Sequence, residues 1–103
     1  MKDVLMGKVI FTISYDVNPE KRSEYMIVSQ AMKDYFKKVN GREYSIYEQK
    51  GKKNSFSEVF IFNSIGEYDQ LEDHDENMDN LVQQLESLLA DRKMKYTTLI
   101  ELE

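Results

Sequence analysis

His74 is the residue in this chain best suited to chemistry. It is the only histidine among 103 residues, and so the only side chain whose ordinary pKa falls near neutrality. Four carboxyl side chains flank it: Glu72, Asp73, Asp75 and Glu76. Held close, they favour the imidazolium and make His74 a better acid than base. Positions 71, 74, 78, 81, 85 and 88 follow one helical face, and apart from His74 they are all Leu or Met. A continuous helix therefore turns His74 inward, where it could protonate or orient a molecule at the mouth of a pocket. The competing reading is a histidine at a helix junction, bonded to a backbone carbonyl or a neighbouring carboxylate.

The same acidic run begins like a calcium loop, with Asp73, Asp75 and Asn77 two apart. Met78 then stands where such a loop needs Gly, and Gln84 where it needs Glu. The run reads as a solvated helix start, and no metal is assigned. The chain has no Cys, which excludes disulfides, thiolate zinc sites, iron–sulfur clusters and a cysteine nucleophile. No Gly-rich phosphate loop and no Gly-x-Ser-x-Gly elbow occur, so no cofactor is expected. Seven tyrosines are present. Tyr44 and Tyr47 have opposite strand parity, so only one of them can face the open side of a sheet. An interior tyrosine could bind an aromatic or quinone-like molecule; packing at a sheet edge or interface is the commoner use.

Charge is segregated. Residues 1–53 carry eleven Lys or Arg against seven Asp or Glu, whereas residues 54–91 carry ten Asp or Glu and no Lys or Arg. A formal net charge of −5 argues against nucleic acid, whose phosphates need clustered cations. The basic group Lys50, Lys52 and Lys53 reads as a solvated hairpin tip. The longest apolar run is Val59-Phe60-Ile61-Phe62, too short to cross a membrane. A cytoplasmic protein is expected.

The elements that must position these residues are legible from periodicity. Val9, Phe11, Ile13, Tyr15 and Val17 alternate with more polar residues over a strand from Lys8 to Val17. Asn18-Pro19-Glu20 starts a helix, followed by Tyr25, Val28, Met32, Tyr35, Phe36 and Val39 at helical spacing and by Asn40-Gly41 as its stop. A second strand runs over Glu43–Lys50 and a third over Phe56–Asn63. The apolar centre of the third predicts a central strand buried on both faces. Ser64 and Glu67 form a capping box for one bent helix or two, reaching Leu89. A last strand spans Tyr96–Leu102.

The order β-α-β-β-α-β predicts one α+β, ferredoxin-like domain over residues 1–103. Its four-stranded antiparallel sheet has the order 4-1-3-2, with both helices on one face. The other face would expose Ile10 and alternate residues of the remaining strands. Pairing two copies sheet to sheet covers it, so a homodimer is expected.

The layout resembles the dimeric α/β-barrel superfamily and, within it, the antibiotic-biosynthesis-monooxygenase family. The resemblance rests on Phe60-Ile61-Phe62-Asn63-Ser64 leading to Tyr68 and to Leu71-Glu72-Asp73-His74, a strand ending in an aromatic followed by a Leu-x-x-His-type helix. It implies a small apolar molecule held between sheet and helices, with His74 as the catalytic group. Phe62 or Tyr68 would stand where family members often carry Trp, and Thr12 or Ser14 would be the assisting polar residue of the first strand. Tyr47 joins these as a strand tyrosine that could position a ligand. The second His often found in the family is absent. Two functions remain open: a monooxygenase-like enzyme acting on a small apolar or aromatic substrate, or a non-catalytic dimer with a binding or structural role.

Overall fold

Strand β1, Val9–Asp16, sets the frame. The computed structural model describes residues 7–40, 43–69 and 76–102. Asn18 caps the turn after β1, its Oδ1 accepting from the Glu20 amide at 3.0 Å. The chain enters α1, Arg22–Asn40, through a 3₁₀ turn at Pro19–Lys21. Pro supplies the required φ there and has no amide to leave unsatisfied. Tyr25, Val28, Met32 and Phe36 form the buried stripe of α1. Strand β2 covers Glu43–Glu48 and β3 covers Ser55–Phe62. The loop between them uses Gly51 at φ 86° and Asn54 at φ 70°, the residue types that tolerate left-handed backbone.

After β3 come α2, Ile65–Asp69, and α3, Glu76–Glu86. The capping box forms: Ser64 Oγ accepts from the Glu67 amide at 3.2 Å, and the Glu67 carboxylate reaches back to the Asn63 amide at 3.2 Å. Strand β4, Lys95–Ile100, ends the sheet. Beyond α3 the chain is tied to the end of β1 by the Asn18 amide on the Leu88 carbonyl and the Ala90 amide on the Asp16 carbonyl, both 2.9 Å. No helix of the described residues is long and apolar enough to cross a membrane.

The strands form one antiparallel sheet in the order β2-β3-β1-β4, the expected 4-1-3-2 read in reverse. Register divides the sheet into two unlike faces. Val9, Phe11, Ile13 and Tyr15 of β1 lie beside Phe62, Phe60, Glu58 and Phe56 of β3, under the helices. A chain of ring contacts knits this side: Phe60 lies 4.9 Å from Phe36 and 4.6 Å from Tyr44, and Tyr25 lies 4.3 Å from Phe56. Burial of β3 on both faces is not found. Its helix-facing row is buried, but Val59 and Ile61 are only half-buried, because among the described residues no second layer covers the other side.

That open side is graded along the strands. Leu99, Ile10, Ile61 and Glu43 form one cross-strand row, apolar over its first three members; Thr97, Thr12, Val59 and Ser45 the next; Lys95, Ser14, Ser57 and Tyr47 the third. The expected apolar surface is therefore confined to one end, and hydroxyl groups occupy the middle. On the helix side, at the far end of β2, Arg22 clamps Glu48 with two bonds of 2.6 and 2.9 Å. This pairing and the Asn54 amide hold the Glu48 carboxyl down to about 2.

Candidate functional site

A cavity of about 350 Å³ lies between the helix-facing side of the sheet and the helices. Phe11, Ile13, Glu58 and Phe60 form its floor. Met32, Tyr35 and Phe36 reach it from α1, and Met78, Leu81, Val82 and Leu85 from α3. Met94 and Tyr96 line the rim beside β4. Its volume is at the small end of the range for ligand pockets, and its apolar lining is typical of them. Helix spacing accounts for the roof: Met78, Leu81 and Leu85 recur every three or four residues and present one apolar row to the sheet.

Glu58 is the exception in this lining. It is 3% exposed and has no cation beside it among the described residues. Tyr44 donates a hydrogen bond to its Oε1 at 2.8 Å, while Oε2 is buried with no hydrogen-bond partner. Tyr15 and Tyr25 stand next to it, their hydroxyls bonded to each other at 2.9 Å. Burial pushes the Glu58 carboxyl above its ordinary value, and the Tyr44 and Tyr15 hydroxyls pull it back only in part. The same burial, together with the Glu58 charge, pushes the Tyr15, Tyr25 and Tyr44 hydroxyls up. An unpartnered buried carboxyl oxygen costs about 1–3 kcal/mol, so its retention in an otherwise apolar chamber calls for an explanation beyond packing.

The structure divides the sequence-derived site residues. Thr12, Ser14 and Tyr47 lie in the open-face rows of the sheet, across the sheet from the cavity. They do not share a chamber with Phe62 and Tyr68, because strand parity sends even-numbered β1 residues to the uncovered side. Ser14 is bonded there to Ser57, Oγ to Oγ, at 2.8 Å. Phe62 and Tyr68 do lie on the helix side, with ring centroids 5.6 Å apart, and Tyr68 also lies 5.8 Å from Phe11. Neither lines the cavity; Phe62 is fully buried in the core, and the Tyr68 hydroxyl pairs with Thr98 Oγ1 at 3.1 Å. His74, with residues 70–75, lies outside the described residues. Among the described residues no group of three His, Asp or Glu side chains is placed to hold a metal ion.

Glu58 was missed by sequence reasoning, although a signal exists. Phe56, Glu58, Phe60 and Phe62 alternate with period two, which puts a carboxyl in a register otherwise wholly aromatic. The continuous apolar run 59–62 draws attention away from that alternation.

No family model matches the chain, and no curated protein does. Solved structures do. A candidate antibiotic biosynthesis monooxygenase from Caulobacter crescentus CB15 superposes with a TM-score of 0.81 at 14% identity, over 96% of this chain and 93% of that one. A conserved protein from Methanosarcina mazei Go1 gives 0.78 at 17% identity, over 93% and 94%. SnoaB, a cofactor-independent oxygenase from Streptomyces nogalater, gives 0.75 at 12% identity, over 94% and 95%. Over more than nine-tenths of its length, this chain thus has the α+β ferredoxin-like fold seen in the antibiotic-biosynthesis-monooxygenase structures.

Proposed function

We propose that the protein is a homodimer that binds a small, largely apolar or aromatic molecule between sheet and helices and acts on it as a monooxygenase-like enzyme. The observation that carries this reading is the apolar cavity of about 350 Å³ with a single buried carboxyl in its floor. SnoaB is a cofactor-independent oxygenase of the same fold, which supports the enzymatic half of the proposal. A protein of this kind supplies orientation and electrostatics rather than a reactive group of its own.

Leu81 is the position to test. Leu81→Trp adds an indole to the cavity wall and is expected to weaken binding of tetralin, a bicyclic hydrocarbon probe, by about tenfold or more. The readout is a ¹H–¹⁵N NMR titration. Wild-type affinity in a folded Leu81→Trp protein would move the binding site elsewhere. For activity, dioxygen uptake is measured with 1,4-dihydroxynaphthalene. Binding of that molecule without uptake above the uncatalysed rate would reduce the function to binding alone.

Dimerisation is supported by the open face. The molecule's shortest dimension is 19 Å, the depth of one sheet and one helix layer. Among the described residues of one copy nothing therefore lies above Leu99, Ile10 and Ile61, and Leu99 is 54% and Ile10 36% exposed. An aspartate at 99 would bury a charge in a paired face. Leu99→Asp is expected to halve the mass seen by light scattering during size exclusion. A wild-type protein that elutes as a monomer would end the dimer proposal.

A further inference from the structure

The hydrogen-bonding state of Glu58 restricts what its cavity can hold. Tyr44 donates to Oε1, so Oε1 serves as the acceptor oxygen of the carboxyl. The surroundings supply no cation: Tyr15 comes from β1, Tyr44 from β2 and Tyr25 from α1, while α3 presents Met78, Leu81, Val82 and Leu85. A carboxylate without a cation in such surroundings takes up a proton rather than remain charged. With Oε1 accepting, the proton resides on Oε2. That oxygen is buried and without a partner among the described residues, so among them a hydrogen-bond donor is left with no acceptor. Tyr15 stands closest to an alternative, but its hydroxyl is bonded to Tyr25 at 2.9 Å and makes no hydrogen bond to Oε2.

We infer that Glu58 serves this cavity as a hydrogen-bond donor, and that the molecule it selects is a mostly apolar one carrying a single carbonyl-type acceptor. The inference rests on the cavity being the binding site. Two alternatives are disfavoured by the same geometry. A cationic amine needs an ionised Glu58, which the apolar walls oppose. A hydrocarbon would leave the donor unsatisfied, and unmet buried donors discriminate strongly.

Three bicyclic probes of near-equal size test this by calorimetry at pH 6: tetralin, 1-tetralone and 1-aminotetralin. In the wild type, 1-tetralone is expected to bind about tenfold more tightly than tetralin, and 1-aminotetralin more weakly than either. Glu58→Gln keeps an N–H donor together with a carbonyl oxygen that accepts from Tyr44 and is expected to retain the tetralone preference. Glu58→Leu combined with Tyr44→Phe, which leaves no orphaned hydroxyl, is expected to bind tetralin and tetralone equally. Tyr15→Phe is expected to leave the preference unchanged. Raising the pH until Glu58 ionises removes the preference in the wild type and not in Glu58→Gln. Equal binding of tetralin and tetralone by the wild type, or preferred binding of the amine, overturns the role of Glu58 while leaving the cavity as the binding site. Failure of all three probes to bind overturns the site itself, and this inference with it.

Discussion

Phe60→Ala is expected to lower the stability of the protein by about 3–5 kcal/mol, the range for deleting a buried phenylalanine ring. Phe60 is 1% exposed and stands at the centre of the helix-facing side. Its ring meets Phe36, Tyr44, Phe11 and Phe62 at centroid distances of 4.9, 4.6, 5.8 and 6.3 Å. Truncation removes the transfer free energy of the ring and leaves a void that these four rings can close only in part. The void also opens into the existing cavity, whose floor Phe60 forms, so α1 and α3 lose a common support. A domain of this length has roughly 5–15 kcal/mol in total, so the change consumes a large share. With about 4–8 °C lost per kcal/mol, the melting temperature should fall by at least 12 °C. Urea unfolding followed by circular dichroism, at fixed protein concentration because dimerisation is linked to stability, measures the loss. A loss below about 1 kcal/mol, the scale of an ordinary surface change, would mean that Phe60 does not hold these elements together.

The second large effect concerns Glu58 and has a defined dependence on pH. Its folded-state pKa lies above the ordinary value of 4.5 because the side chain is buried. The native state therefore holds this proton more tightly than the unfolded chain does. The stability so gained is complete below pH 4.5 and is lost as pH rises through the raised folded value. Glu58→Gln preserves the shape and an acceptor for Tyr44 but cannot ionise. The two proteins should match near pH 4, and Glu58→Gln should be the more stable by on the order of 1–3 kcal/mol at pH 8. Glu48 has the opposite sign: its carboxyl is held down to about 2, so its contribution is lost only as pH falls below 4.5 and is common to both proteins. The Tyr15, Tyr25 and Tyr44 hydroxyls are pushed up from their ordinary value and stay neutral over the interval. Parallel melting curves for the two proteins from pH 4 to pH 8 would show that Glu58 is not buried as described.

Much of the architecture was readable from local chemistry. Alternation at Val9, Phe11, Ile13 and Tyr15 defined β1 and its buried side. Asn18-Pro19 marked the entry to α1, and Ser64 with Glu67 the entry to α2. The strand ends fell within one residue of expectation, except at the C-terminal ends of β2 and β4, each two residues short, where the ladder pairs only Glu43–Glu48 of β2 and ends β4 at Ile100. These signals are legible because they arise within a few residues, from side-chain period and from backbone amides that the nearest side chain satisfies. The strand order followed from the same elements, because few right-handed, uncrossed connections exist for that sequence of strands and helices.

The site was decided elsewhere. Thr12 and Ser14 were attractive as polar residues of the first strand, but their even parity puts them on the uncovered side. Glu58 drew no notice in the sequence, and it is the only buried acid among the described residues. Nothing in its neighbours at 57 and 59 says whether a helix will cover it. Coverage depends on where α1 and α3 cross the sheet, and so on contacts between residues as distant as Met32, Glu58 and Leu85. The sequence by itself determined the elements, their order and the two faces of each strand, because these are set by periodicity. Only the tertiary structure decided which face encloses a cavity and which carboxyl is stranded in it, because burial is a property of what packs above a residue and not of the residue.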